Sequence, residues 1–359
     1  MTFGTSITAS ESSFTRGATT LKADFKVGTW KNFSQANEQV VMNGYKVEYS
    51  EDATTTRWNY EGVNGQMLRY WDLSAFPYEF RAVSPFFDGA TISNTGINLN
   101  RPFQAQTYID DTYNVTNYDV EPCVVAQVCR KKNGTEYEDR DQIKNQEINT
   151  NEKANAVRKV HLPFHHLISK VGFRIFIDEP QPSSTDYRVV LKSVKISVVN
   201  AENQFITSSK SYTATNDQGL IRGTFAENTK ATGEFTLLQH SEYAEKDMCD
   251  YLKRENALDL CPNFIQQIPQ QNVQIHVQVV IQTDHMVKGT VDYSDTVTYD
   301  RVLSLDKTSA TRDLFTWEPD TRYIYYLHIP DLHNNDILLD TCEILPWDDV
   351  QSSDITVEL

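Results

Sequence analysis

Histidine and carboxylate are the residue types in this chain best suited to chemistry. Its eight histidines are His161, His165, His166, His240, His276, His285, His328 and His333, and the first three crowd into one stretch, Arg158–Ile177, which reads RKVHLPFHHLISKVGFRIFI. Such a density of imidazoles would suit metal binding or proton transfer. Adjacent His165 and His166, however, point to opposite faces of an extended chain and cannot chelate one ion together. His161 and His165 share a face, but no neighbouring Cys or carboxylate completes a ligand set. The acidic pairs Asp110-Asp111, Glu138-Asp139 and Asp348-Asp349 fall outside any D-x-D-x-D-G loop, so they read as solvated charge rather than a calcium site. Two distant carboxylates can still meet in a fold, as glycosidases require, but nothing here selects a pair. No phosphate-binding glycine loop, H-E-x-x-H or G-x-S-x-G occurs. The expectation is a protein that is not an enzyme, with no catalytic residues, no metal and no cofactor.

Five cysteines, Cys123, Cys129, Cys249, Cys261 and Cys342, give an odd count with no C-x-x-C. Cys123 and Cys129 share one face of a candidate strand, too far apart to bond. Cys249 and Cys261 lie close enough in sequence for a bridge; the alternative is five buried or half-buried thiols. The formal net charge of −16 is spread along the chain, which disfavours nucleic acid or anionic lipid as partners. No apolar run approaches the ~18 residues needed to span a bilayer. The start, MTFGTSITAS, shows no basic segment followed by an apolar one, so either the protein is cytoplasmic or its targeting segment is not part of this sequence.

The elements that must position these residues are strands. With 359 residues, 39% of them hydrophobic, and 18 Tyr, 17 Phe and 5 Trp, the chain can fill two cores. Val171, Phe173, Ile175 and Ile177 alternate with polar or small residues, and so do Val273, Ile275, Val277, Val279 and Ile281. The first half of Arg158–Ile177 fits both helical and extended periods, and we read it as extended, with a bulge near Ser169. Asn43-Gly44 between two apolar runs predicts a hairpin. In YEFRAVS, Tyr78, Phe80 and Ala82 alternate with Glu79 and Arg81, placing the charged pair on a solvent face. Opposite parity on either side of Lys192-Ser193 predicts a bulge. Residues 241–258, SEYAEKDMCDYLKRENAL, are the best helix candidate, capped by Ser241. Short, frequent strands without βαβ rhythm mean antiparallel sheets. The predicted fold is all-β: two tandem antiparallel β-sandwiches, residues 1–157 and 158–359, with one short helix in the second.

Several stretches resemble a family. HLPFHHLISKVGFRIFI (His161–Ile177), LRYWDLSAFPYEFRAVSP (Leu68–Pro85), the opening TFGTSITASESSFTRGATTLKADFKVGTW, LFTWEPDTRYIYYLHI (Leu314–Ile329) and ILPWDDV with the final strand are similar, in this order, to segments of the fimbrillin-like (Mfa-like) proteins of Bacteroidetes. Each motif is loose; their shared order along the chain carries the likeness. The resemblance implies a structural or adhesive subunit of cell-surface fimbriae, the type V pili, built from two transthyretin-like β-sandwich domains. It implies export as a lipoprotein to the outer membrane or fimbrium, with other fimbrial subunits as partners and a host protein or glycan left open as a ligand. In polymerising members an Arg-specific protease cuts after an N-terminal arginine, and the first strand is replaced by a strand from a neighbouring subunit. Arg16 is the matching position, or else an ordinary exposed arginine. The candidate donor is the last strand, with Ile355, Val357 and Leu359 on one face, or else that strand simply completes its own domain.

A second reading is a surface glycan-binding β-sandwich protein of the same bacteria. It calls for exposed aromatics in a row on which sugars stack, with Trp58, Trp71 and Trp317 as the first candidates.

Overall fold

The computed structural model describes residues 2–7, 21, 23–50, 58–60, 62–70, 72, 74–109, 112–113, 123–133, 136–139, 159–178, 186–200, 202–216, 219–240, 246–262, 264–303, 314–332 and 336–347. These residues form strands and turns almost throughout, so the expectation of an all-β chain of antiparallel sheets holds.

The first sheet runs, in spatial order, β1 (Thr2–Ile7), β13 (Lys159–His166), β11 (Val124–Asn133), β5 (Tyr78–Ser84), β2 (Phe25–Lys31), β3 (Gln39–Tyr49) and β4 (Trp58–Asn59), with β12 (Glu136–Asp139) paired to β11. Phe25, Val27, Phe80, Val128 and Leu162 lie on its inner face in one apolar cluster. Asn43-Gly44 makes no hairpin. It sits inside β3, where pairing to β2 slips between Val27↔Tyr45 and Thr29↔Met42, and Gly44 takes φ 64. Two residues there oppose one, so the turn-forming dipeptide serves as a bulge that twists the strand on.

Two larger sheets face each other across the main core. One runs β10 (Thr112–Tyr113), β9 (Tyr108–Ile109), β20 (Phe235–His240), β15 (Tyr187–Asn200), β23 (Val273–Val287) and β24 (Thr290–Val302). The other runs β21 (Leu258–Asp259), β14 (Ser169–Ile177), β25 (Thr321–Ile329) and β26 (Leu338–Pro346), with β22 (Ile265–Gln267) also paired to β14. Phe173, Ile175, Val194, Ile196, Val277 and Leu327 interlock between them. The predicted bulge is present: pairing of β15 to β23 shifts between Leu191 and Ser193.

Two small sheets draw on both halves of the sequence. β6 (Ala90–Ser93) and β7 (Gly96–Leu99) continue through β17 (Ser211–Thr215) to β18 (Thr224–Ala226). β8 (Phe103–Gln104), β16 (Gln204–Ser209) and β19 (Thr229–Thr232) make the other. The first packs on the outer face of β2, β5 and β11, where Trp30, Val83, Ile92, Ile97, Val125 and Tyr212 share a cluster. This corrects the placement of Glu79 and Arg81 on a solvent face: all seven residues of β5 are buried.

The helix read over 241–258 is absent as one element. Its described part holds two single 3-10 turns, Met248–Asp250 and Arg254–Asn256. Asp247 caps the first by accepting from the Cys249 N–H, while Met248 anchors it in the core. One buried anchor for the two turns together is too little apolar surface to hold a longer helix. Cys249 and Cys261 are separate thiols.

Candidate assembly site

The stretch Arg158–Ile177 is two strands. β13 ends at His166, the chain bends at Leu167-Ile168, and β14 starts at Ser169 in a different sheet. A bend does the work assigned to a bulge, because Leu167 and Ile168 are both buried and drop between the layers. β13 therefore belongs with strands from the first 157 residues, and the change of sheet falls about ten residues later than 158. The reason is visible in its side chains: Val160, Leu162 and Phe164, each fully buried, complete the core beneath β2, β5 and β11.

β13 is held unevenly. On one side β11 pairs with it only at Val124↔His166, Val125↔His165 and Ala126↔Phe164. The next residue is Pro163, which has no N–H to give a ladder. On the other side β1 pairs along six residues, from Thr2↔Lys159 to Ile7↔Phe164. This contact is parallel, in a sheet whose other pairings are antiparallel. β1 is thus an edge strand whose loss would uncover the backbone of Lys159–Pro163 on the side where it has its ladder. An edge of that kind is a template for another strand.

At the other end of β13 lies an acid that sequence reasoning did not single out. Asp320 is 1% exposed, has φ 57, and directly precedes β25. One carboxylate oxygen accepts from the His166 N–H at 3.0 Å, and the other lies 2.8 Å from His165 Nδ1. Its own N–H donates to the Ile168 carbonyl at 3.1 Å, and its carbonyl accepts from the Trp347 N–H at 3.2 Å. Both histidines reach this acid, His166 through its backbone N–H and, at 3.4 Å from Nδ1, through its ring as well. Burial alone would push the Asp320 carboxyl up, but the hydrogen bonds from His165 and His166 outweigh it and hold it below the usual range. The His166 ring, 4.2 Å from the Trp347 ring and stacked on it, is pushed down by burial. No local pattern marks Asp320, because its partners are 154 and 155 residues away in sequence.

The predicted site residues fare differently. Arg16, the candidate donor residues Ile355, Val357 and Leu359, and Trp71 lie outside the described residues. Trp58 and Trp317 are described and are not exposed, which corrects their reading as a sugar platform. Trp58, 3% exposed, packs on Phe25 and Tyr49; Trp317, 1% exposed, faces Phe205 and donates from Nε1 to Tyr325 Oη at 3.0 Å. Both are core residues because aromatic neighbours from other strands close around each of them. Among the described residues the most exposed aromatic side chain is Tyr70. No cluster of three His, Cys, Asp or Glu with metal-holding geometry occurs among them. No helix of the described chain is long and apolar enough to cross a membrane.

Layered sheets, antiparallel except for the β1–β13, β14–β25 and β9–β20 pairings, define an all-β protein with a parallel first strand at one edge. The chain belongs to the fimbrillin-like family, whose model matches residues 14–347. Membership of this family supports a fimbrial subunit. Among solved structures the chain is similar to a fimbrial protein from Bacteroides vulgatus, at 14% identity and TM-score 0.53, covering 90% of this chain and 93% of that one. It is also similar to a cell adhesion candidate from Bacteroides ovatus, at 11% identity and TM-score 0.46 over 97% and 98% of the two chains. A third likeness is the fimbrial anchor protein Mfa2 from Porphyromonas gingivalis, at 10% identity and TM-score 0.27 over 96% and 98%. Only the first of these bears on the fold. A comparison with curated proteins found no match.

Proposed function

We propose that this subunit joins its neighbours by strand exchange at the β13 edge, after proteolysis between β1 and β2 releases β1. The observation that carries this reading is the pairing of β1: parallel, peripheral, and the chief ladder partner of Lys159–Pro163. Arg16 lies in the connection from β1 to β2, so a cut there leaves β1 attached only by non-covalent contacts. Six residues of edge pairing give little to hold a free strand against the entropy it regains. The vacated edge then offers backbone hydrogen bonds to an incoming strand beside the buried Val160, Leu162 and Phe164. The sequence of the last five residues, with Ile355, Val357 and Leu359 alternating with Thr356 and Glu358, has the matching alternation.

The export and anchoring that this role needs, as a lipoprotein of the outer membrane, form part of the same proposal. The test is incubation of the purified chain with an Arg-specific protease, followed by sizing and mass spectrometry. Cleavage after Arg16 with a ladder of oligomers is expected. Cleavage without oligomers, or an intact chain that assembles equally well, would overturn strand exchange. The Arg16→Ala variant should stay monomeric under the same protease.

A further inference from the structure

The histidine pair that the assembly reading leaves unused sits where three parts of the chain meet. His165 and His166 end β13 in the first sheet. Asp320 directly precedes β25, in a sheet of the main core, and Trp347 directly follows β26 and is the last described residue. Asp320 touches all of them: the carboxylate takes His165 and the His166 N–H, the backbone N–H takes Ile168, and the backbone carbonyl takes Trp347. Ser169 Oγ adds a bond to the Glu318 carbonyl at 2.8 Å, from the other strand leaving the bend.

We propose that Asp320, His165 and His166 form an acid-sensitive latch, which at neutral pH fixes the junction between the sheets beside Trp347, and which opens on acidification.

The groups facing His166 set the direction of the response. On its own strand is His165, and from the loop before β25 comes Asp320, whose Oδ1 lies 3.4 Å from His166 Nδ1, at the outer limit of a hydrogen bond. From β14 comes Lys170, with Nζ 4.6 Å from the centre of the Trp347 ring. From the residue after β26 comes that ring itself. β11 contributes Val124, and the Cys123 carbonyl accepts from the Leu167 N–H. The one attractive charge, Asp320, is already engaged by His165 and by backbone, and Lys170 and His165 both oppose a second positive charge. A protonated His166 ring therefore gains more by leaving for water than by staying. The folded latch binds fewer protons than the open one, since burial holds the His166 ring below its ordinary value, so acid favours opening. Asp320 acts in the same sense: its carboxyl is held down, so protonating it also weakens the latched form.

The latch is a property of the uncleaved monomer. Only its bearing on assembly rests on the strand-exchange reading. The test follows tryptophan emission of the full chain from pH 7.5 to pH 5, with the Trp347→Phe variant subtracted to isolate Trp347, and far-UV circular dichroism in parallel. A reversible change in Trp347 emission is expected as pH falls below about 6.5, the ordinary histidine value, with the dichroism unchanged. His166→Gln should abolish it. Lys170→Gln, which removes an opposing charge and lets the latch tolerate a protonated ring, should move the midpoint to lower pH. Asp320→Asn should show the acid-form emission already at pH 7.5; should that variant not fold, the His166 and Lys170 variants still decide. A flat Trp347 signal, a transition that survives in His166→Gln, or one that coincides with loss of sheet would overturn the latch. Each result leaves strand exchange untouched, because that is read from protease-dependent oligomers at constant pH.

Discussion

β5 and β24 carry the same kind of sequence and meet opposite fates. YEFRAVS and TVDYSDTVTYDRV both alternate apolar with polar residues. In β5 every residue is buried; in β24 only Tyr299 is, and Val291, Tyr293 and Val302 are each at least half exposed. Position in the sheet explains the difference. β5 has β2 and β11 on its flanks, a core beneath and the β6–β7–β17–β18 sheet above. β24 is an edge with one neighbour, β23. Alternation therefore reports which residues share a face, and the next layer decides whether that face meets water.

Buried polar groups raise the stakes in β5. Arg81 Nε lies 3.2 Å from Glu79 Oε1, its Nη1 donates to the Ser93 carbonyl at 2.5 Å, and its guanidinium is 5.5 Å from the ring centres of both Trp30 and Phe33. Gln127 Nε2 donates to the same Glu79 oxygen at 2.6 Å. Burial pushes the Glu79 carboxyl up and the Arg81 guanidinium down, against the attraction of the pair. The largest expected effect is thus Arg81→Leu, which leaves a buried carboxylate unpaired at a cost of about 3–5 kcal/mol in chemical denaturation. The double variant Glu79→Leu with Arg81→Leu should recover most of that loss. A loss in the double variant as great as in the single one would show that packing on Trp30 and Phe33, rather than charge, holds β5 in place.

Next in size is Val83→Thr, which puts a hydroxyl into a fully buried site on the outer face of β5. An uncompensated buried hydroxyl costs about 1–3 kcal/mol, read as a fall in the denaturation midpoint. On β24 the corresponding weak point is Tyr299, fully buried, whose Oη donates to the Leu332 carbonyl at 3.1 Å. Tyr299→Phe should cost about 0.5–1.5 kcal/mol, one net hydrogen bond.

How much of this was legible follows from the same contrast. Strands with one dry face were: β23 repeats its alternation through nine residues, Val273 to Ile281, and the Lys192 bulge shows as a change of parity. What the second layer decides was not. Glu79 and Arg81 read as a solvent face because nothing in YEFRAVS announces that β6 and β7 fold over it. Trp58 and Trp317 read as exposed platforms for the same reason, since a tryptophan looks alike in sequence whether or not aromatic neighbours close around it. Asn43-Gly44 has the chemistry of a turn, but pairing with β2 on both sides of it turned the dipeptide into a bulge. Of the assembly site, the stretch containing β13 was evident, whereas Asp320 depends on contacts across more than 150 residues, which no local pattern records.

The outer face of β23 and β24 offers a smaller, pH-dependent effect. His276 Nδ1 lies 2.7 Å from Glu234 Oε1, and Nε2 lies 2.5 Å from Asp300 Oδ1. The bond to Asp300 and the nearby Glu234 hold the imidazole above its ordinary value, although partial burial opposes this. A raised histidine means that the folded state binds more protons. Its stabilisation is complete below the unfolded value of about 6.5 and is lost as pH rises through the folded value. The carboxylates are largely solvated, so the effect stays at the scale of a surface ion pair, below about 1 kcal/mol. Denaturation midpoints should fall slightly from pH 6 to pH 8, and His276→Gln should flatten that slope. An equal slope in the variant would place the proton uptake elsewhere.

The smallest expected effect closes the comparison with β5. Val291→Thr is the same chemical change as Val83→Thr, made on an edge strand at a residue 50% exposed. Its hydroxyl meets water, no partner is lost, and threonine suits an extended backbone as well as valine does. The change should stay within about 0.5 kcal/mol of the parent. Measured together, the two substitutions isolate the contribution of the second layer, because residue type and strand geometry are matched and only the covering differs. A cost at Val291 as large as that at Val83 would mean that β24 is covered in solution by something that binds its open side. The edge would then be the place to look for a partner strand.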